Sequence, residues 1–147
     1  MDTGYQINMF LEEQLDHYQS MKQVVEKQTR FIEVMDIGGL TVGTSEMRGL
    51  MRKSRDIEAA LRPFRQSWNN LGLDQPVKEK RRMEGLVYAI REQIEQIQEI
   101  KDRNKLLLEK SMEGVRKQMT GLETGAQATR AYVKRAAPAA RFIDRSN

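Results

Sequence analysis

Apolar side chains recur at alternating intervals of four and three residues over most of this 147-residue chain. That spacing places them on one face of an α-helix and is typical of coiled-coil-like bundles. Residues 6–36 contain no proline or glycine, and their seam comprises Ile7, Leu11, Gln14, Tyr18, Met21, Val25, Gln28, Ile32 and Met35. We therefore predict a first long helix over about residues 6–36. No segment of the chain shows the strict alternation of a β-strand.

The pattern is interrupted next by three glycines within residues 38–43. Because glycine is a poor helix former, this stretch predicts a break between two helices. A second helix is expected over about residues 44–71, with Gly72 after its C-terminal end. Pro63 lies inside this segment and predicts a kink or a break, because proline removes one backbone hydrogen bond of the helix.

The longest apolar pattern follows Asp74 and Pro76, two residues typical of a helix N-cap and first turn. No proline occurs between Pro76 and Pro138. We therefore predict a third helix over about residues 76–123, roughly 70 Å long at 1.5 Å per residue. Residues 124–147 are rich in Ala and Arg without a sustained period, and are expected to form a flexible basic tail.

The expected fold is all-α, a single bundle of three long antiparallel helices over residues 1–123. The third helix is about 20 residues longer than the other two. Its last apolar side chains therefore lack a partner in the chain: Leu107, Leu108, Met112, Val115, Met119 and Leu122. Left in water, these six groups would forgo about 10 kcal/mol of burial, at about 1.5–2 kcal/mol each. We expect the tail, a second copy of the chain or a helix of another protein to cover them.

Composition excludes much catalytic and metal chemistry. The chain has no cysteine and a single histidine, His17. Thiolate metal sites and disulfides are therefore excluded, and little material remains for a histidine-based metal site or a catalytic triad. No apolar run approaches the roughly 18–20 residues that span a bilayer, and the N-terminus lacks the features of a signal peptide. We expect a soluble cytoplasmic binding protein, with no enzymatic activity and no cofactor.

The charge distribution bears on the choice of partner. Lys and Arg number 25 and Asp and Glu number 21, a formal net charge of +4. The excess lies in residues 125–147, which carry five basic groups and one acidic group. Acidic residues interleave with the basic runs of the helices, which does not favour a nucleic-acid interface. The basic side chains of the tail would attract anionic lipid, but the tail has few apolar side chains to anchor it. Stable membrane insertion is therefore not expected.

Residues 102–115, in which Asn104 is followed by a Leu-Leu pair at 107–108, resemble the Asn-x-x-Leu-Leu-type segment of the FlgN family. Members of that family are flagellar type III export chaperones. A tyrosine, here Tyr132, follows at a comparable distance and precedes a polar tail. The long first helix, the basic second helix closing at Leu71-Gly72, and the total length are also similar to that family.

The resemblance implies a cytoplasmic chaperone that binds the C-terminal helical segments of hook-associated proteins of the FlgK and FlgL type. It would prevent their premature assembly and deliver them to the export gate, which would dock at Tyr132. The family's client-binding region falls on the same six residues, Leu107, Leu108, Met112, Val115, Met119 and Leu122. Two alternatives remain: a homodimeric coiled-coil structural or adaptor protein, and a basic nucleic-acid- or membrane-surface-binding protein.

Overall fold

The computed structural model describes residues 3–65 and 77–132, and this part of the chain is built from three α-helices. They are α1 (Thr3–Glu33), α2 (Ile37–Arg65) and α3 (Val77–Tyr132). The prediction of an all-α fold with the third helix longest is confirmed, and the described residues contain no strand. The chain divides into two compact units, residues 1–107 and 108–147. Helix α3 supplies residues to both units.

The core of the first unit joins all three helices. Helices α1 and α2 run antiparallel, since the rings of Phe10 and Phe64 lie 6.5 Å apart and the Ser54 hydroxyl donates to the Tyr18 hydroxyl at 3.3 Å. One cluster of buried side chains contains Ile7, Leu11, Ile57, Leu61, Met83 and Ile90, and a second contains Met21, Val25 and Ile97. Burial of these apolar faces is the main force that holds the three helices together.

The turn between α1 and α2 is tight and is held by several hydrogen bonds. The Asp36 N–H donates to the Phe31 carbonyl at 2.8 Å, and the Met35 N–H donates to the Ile32 carbonyl at 3.1 Å. Met35 has a φ of 56°. This is the pair of bonds and the left-handed residue of a Schellman motif, which ends a helix by satisfying its last carbonyls. Helix α1 consequently ends at Glu33, three residues before the predicted end at 36.

Helix α2 begins at Ile37, so the predicted glycine break over residues 38–43 is wrong. Asp36 caps the helix, because its Oδ1 accepts a hydrogen bond from the Gly39 N–H at 2.9 Å. The glycines instead allow α1 to approach closely. A Cβ atom on Gly39 would lie 2.6 Å from the Phe31 ring, and one on Gly43 would lie 3.2 Å from Gln28 Cγ.

The other helix ends also differ from prediction. Helix α2 is not broken at Pro63 but continues to Arg65, the last residue described before Val77. Helix α3 continues to Tyr132, so residues 124–132 are helical rather than part of a tail. Residues 124–132 are alanine-rich and contain no proline, which favours a helix. The predicted end of α2 at Leu71-Gly72, the Asp74 and Pro76 entry to α3, and residues 133–147 lie outside the described residues.

Two glycine-to-alanine substitutions in α2 test the role of the glycines. Gly39→Ala places a Cβ atom against the Phe31 ring and should lower the free energy of unfolding by about 1–3 kcal/mol. Gly49→Ala meets no atom within 4 Å and should raise it by about 0.5–1 kcal/mol. Urea unfolding followed by far-UV circular dichroism measures both. Equal stability of the two variants would contradict close packing at Gly39.

Candidate docking surface

The buried face of α3 is defined by four residues spaced seven apart: Met83, Ile90, Ile97 and Asn104. This heptad interval keeps them on one side of the helix. The first three are apolar and belong to the two core clusters. Asn104 is the exception, an amide at a position where the preceding heptads have aliphatic or thioether side chains.

Asn104 fastens α3 to the C-terminal half of α1. Its Nδ2 donates to the Val25 carbonyl at 3.0 Å, and its Oδ1 accepts from the Thr29 hydroxyl at 2.6 Å. A buried amide satisfied in this way fixes the register of two helices, because a shift along the axis would leave its polar atoms unpaired. In the described chain, no residue after Asn104 is buried.

The described part of the second unit is the helical stretch 108–132, and its apolar residues are exposed. Five of them follow intervals of four, three, four and three residues, which place them on one face of the helix. We call this set the distal stripe: Leu108, Met112, Val115, Met119 and Leu122. Their exposed fractions lie between 37% and 72%. All five are among the six side chains that the sequence indicated as lacking a partner.

Leu107 and Tyr132 complete the residues proposed from the sequence. Leu107 is half-buried and belongs to the first unit, so it is not part of the distal stripe. Tyr132 is the last residue of α3 and is 93% exposed. The structure thus brings five of the client-binding candidates together on one face, and places Tyr132 ten residues after the last of them.

Charged residues of both signs flank the distal stripe. A shallow depression on this part of α3 is lined by Glu109, Met112, Glu113, Arg116, Lys117 and Thr120. Glu113 and Lys117 form an exposed ion pair at 3.8 Å. Mixed charges beside an apolar seam are typical of helices that pair with another helix, where they influence the choice and orientation of the partner.

Potential metal ligands are not clustered in the described residues. No group of three or more potential ligands there is placed to hold a metal ion. His17 is half-buried, and its Nδ1 has no hydrogen-bond partner among the described residues. None of the helices in residues 3–65 and 77–132 combines the length and hydropathy needed to cross a bilayer.

The role of Asn104 in fixing the register of α1 and α3 was not predicted from the sequence. The residue was noted there only as part of the segment that resembles the FlgN family. The available signal was its position seven residues after Ile97, which continues the buried heptad of α3. The hydrogen-bond partners on α1 were not predictable, because they depend on how far α3 is displaced along α1.

These features define a helical protein: a three-helix unit, and the stretch 108–132 of α3 with an exposed apolar face of the kind that marks protein-interaction sites. The model of the family described as FlgN protein matches residues 1–140, which is nearly the whole chain. The chain belongs to the FlgN family, a family of flagellar export chaperones. No curated protein and no solved structure matches the chain significantly.

Replacement of Asn104 tests its role in fixing the register. Asn104→Ala removes the buried amide that bonds both the Val25 carbonyl and the Thr29 hydroxyl, so the free energy of unfolding should fall by about 1–3 kcal/mol. Gln118→Ala removes an exposed amide from the same helix and should change it by less than about 0.5 kcal/mol. Urea unfolding of both variants makes the comparison. A loss at Asn104 no larger than that at Gln118 would show that the amide does not fix the register.

Proposed function

We propose that this chain is a cytoplasmic export chaperone that holds a C-terminal helix of a hook-associated protein, of the FlgK or FlgL type, on the distal stripe. Family membership supports the general role of flagellar export chaperone. The exposure of five apolar side chains at heptad spacing is the observation that carries the assignment of the surface. Exposed apolar surface of this kind marks a site of protein interaction.

The spacing of the distal stripe favours pairing with a helix. Residues 108–122 extend over two heptads, or roughly 21 Å of helix axis. A client helix with apolar residues at the same intervals can lay them against the stripe, and charged side chains on both sides can then pair. The client gains by the same contact, because its own apolar face is removed from water and from premature assembly partners.

The free energy available suits a contact that must later be released. Five side chains with exposed fractions of 37% to 72% offer on the order of 5 kcal/mol of further apolar burial. Association consumes part of this in lost translational and rotational freedom. The contact we propose is therefore reversible, and no covalent chemistry is required for capture or release.

We propose that the C-terminal end of α3 contacts the export gate during delivery. Tyr132 is almost fully exposed and follows the stripe on the same helix. An exposed tyrosine provides a rigid apolar ring and a hydroxyl, a combination that is enriched in protein interfaces. We propose that it contacts the export gate while the stripe carries the client.

The heptad spacing of the stripe also supports a second candidate, pairing with the stripe of another copy in a homodimer. The two candidates differ in the state of the free chain. A chaperone with an open stripe should sediment as a monomer at micromolar concentration, whereas a homodimeric coiled coil should remain dimeric when diluted.

Two acidic substitutions on the stripe test the proposed function. Leu108→Asp with Val115→Asp should weaken binding to the C-terminal helical segment of a hook-associated protein by about 100-fold or more, because burying a carboxylate opposite apolar groups is unfavourable. Isothermal titration calorimetry measures the affinity. Both positions are exposed, so the far-UV circular dichroism of the variant should match that of the parent.

The matched control is Gly114→Asp with Gly121→Asp. These positions have the same seven-residue spacing and receive the same charge, but lie off the stripe, and a Cβ atom at either meets nothing within 4 Å. Binding by this variant should stay within about threefold of the parent. Full affinity in the Leu108→Asp and Val115→Asp variant would remove the stripe as the client site.

A further inference from the structure

A second open surface lies within the first unit, between α2 and α3, with α1 beneath it. It consists of two adjoining cavities of about 460 and 260 Å³ that share the residues Tyr18, Glu58 and Ile94. We call it the α2–α3 groove. All its lining residues belong to residues 1–107, so it is separate from the distal stripe.

The floor and walls of the α2–α3 groove are largely apolar. Its apolar lining includes Leu11 and Tyr18 of α1, Met47 and Met51 of α2, and Val87 and Ile94 of α3. Most of these are buried or half-buried, but Ile94 is 42% exposed and Met51 is 38% exposed. The groove thus leaves aliphatic and thioether surface in water beside an otherwise closed core, and methionine adapts readily to different partner shapes.

One polar group in the groove lacks a partner. Gln14 lines the larger cavity and is only 7% exposed. Its Oε1 has no hydrogen-bond partner in the described part of the chain. Since buried polar atoms are normally hydrogen-bonded, an occupant that offers an N–H or O–H donor here would satisfy this acceptor.

The rim of the α2–α3 groove is basic. Its charged residues are Arg55, Arg65, Arg91 and Lys101, with Glu58 as the single acidic group. Glu58 is paired with Arg65 at 3.5 Å. The other three basic groups have no ion pair among the described residues. Arg55 lies on the α2 side, and Arg91 and Lys101 lie on the α3 side, so each edge of the groove offers a basic group for a carboxylate.

We propose that the α2–α3 groove binds an amphipathic α-helix of another protein that carries Asp or Glu on both sides of its apolar stripe. Residues 47–65 of α2 border the groove, a length of roughly 27 Å, or about five helical turns. The apolar stripe of such a helix covers Met51 and Ile94. Its carboxylates pair with the basic groups of the two edges.

Charge and shape argue against three other occupants of the groove: residues 133–147 of this chain, a second copy of the chain, and a membrane. Residues 133–147 of this chain carry four basic groups and one acidic group, so the basic rim repels them. Helix α1 of a second copy is acidic, but its apolar face is already buried in its own core. An anionic membrane is flat and cannot reach apolar residues recessed between two helices. This inference does not rest on the proposed role of the distal stripe.

Two synthetic 18-residue helical peptides test the proposal. They share leucines at heptad positions, and the flanking positions are Glu in one and Lys in the other. Fluorescence anisotropy of the labelled peptides measures binding to the full chain. The Glu peptide should bind about tenfold or more tightly than the Lys peptide, and added salt should reduce the difference. Binding of neither peptide, or equal binding of both, overturns the proposal.

Variants locate the site. Arg91→Glu with Lys101→Glu should reverse the preference between the peptides, and Ile94→Asp should weaken both by about tenfold or more. Tyr88→Asp changes an exposed α3 residue outside the groove and should keep affinity within about twofold. Far-UV circular dichroism checks that each variant folds.

Binding to the distal stripe and to membranes is distinguished in the same assay. The Leu108→Asp and Val115→Asp variant should bind the Glu peptide as the parent does; loss of binding in that variant would place the peptide on the stripe and overturn the groove site. Vesicles of phosphatidylcholine and phosphatidylglycerol should not displace the Glu peptide. Displacement that depends on Arg91 and Lys101 would assign the groove to an anionic membrane instead.

Discussion

Helix α1 is the element on which the closed part of the structure depends. It contacts α2 through Phe10 and Tyr18, and it contacts α3 through Asn8, whose Nδ2 donates to Glu79 at 2.9 Å, and through the carbonyl of Val25. An amphipathic helix draws most of its stability from the covering of its apolar face. Because α1 ends at Glu33, soon after the residues bonded to Asn104, the cover that it gives to α3 also ends there.

The same apolar pattern on α3 therefore has two uses. Apolar residues in this pattern are buried in the core of the first unit, and apolar residues in the same pattern form the exposed distal stripe of the second unit. An isolated helix of this length is marginal in water, whereas extension of an existing helix avoids the cost of nucleation. An ordered stripe lowers the entropy lost on binding a partner.

The features that the sequence predicted are those governed by local periodicity. The spacing of apolar residues predicted three helices, and the unequal helix lengths predicted that six apolar side chains from Leu107 to Leu122 lack a partner. Leu107 is half-buried, and the other five are exposed. The prediction for the glycines at 38–43 was wrong because it rested on the low helix propensity of glycine, which is a local property. The close contact between Gly39 and the Phe31 ring is not local, because it depends on the turn that brings α2 back against α1. The extension of α3 to Tyr132 was missed because alanine supports a helix without an apolar period.

The two candidate binding surfaces also differ in how far they could be predicted from the sequence. The distal stripe lies on one helix, so its members could be identified from spacing alone. The α2–α3 groove needs the relative placement of three helices: Gln14, Met51 and Ile94 are far apart in sequence, and nothing in their local pattern indicates that they share a surface. Similarly, the bond between Thr29 and Asn104 depends on the axial register of α1 and α3.

The central claim is that the distal stripe is open in the free chain, and its methionines allow a direct measurement. Met112 and Met119 are exposed, whereas Met21 and Met83 are buried in the core. Oxidation by dilute hydrogen peroxide, followed residue by residue by mass spectrometry, reports the access of each thioether to solvent. The account predicts that Met112 and Met119 oxidise about tenfold or more faster than Met21 and Met83, at every protein concentration tested. Equal protection of all four methionines in the lone chain would show that the stripe is already covered and would contradict the account.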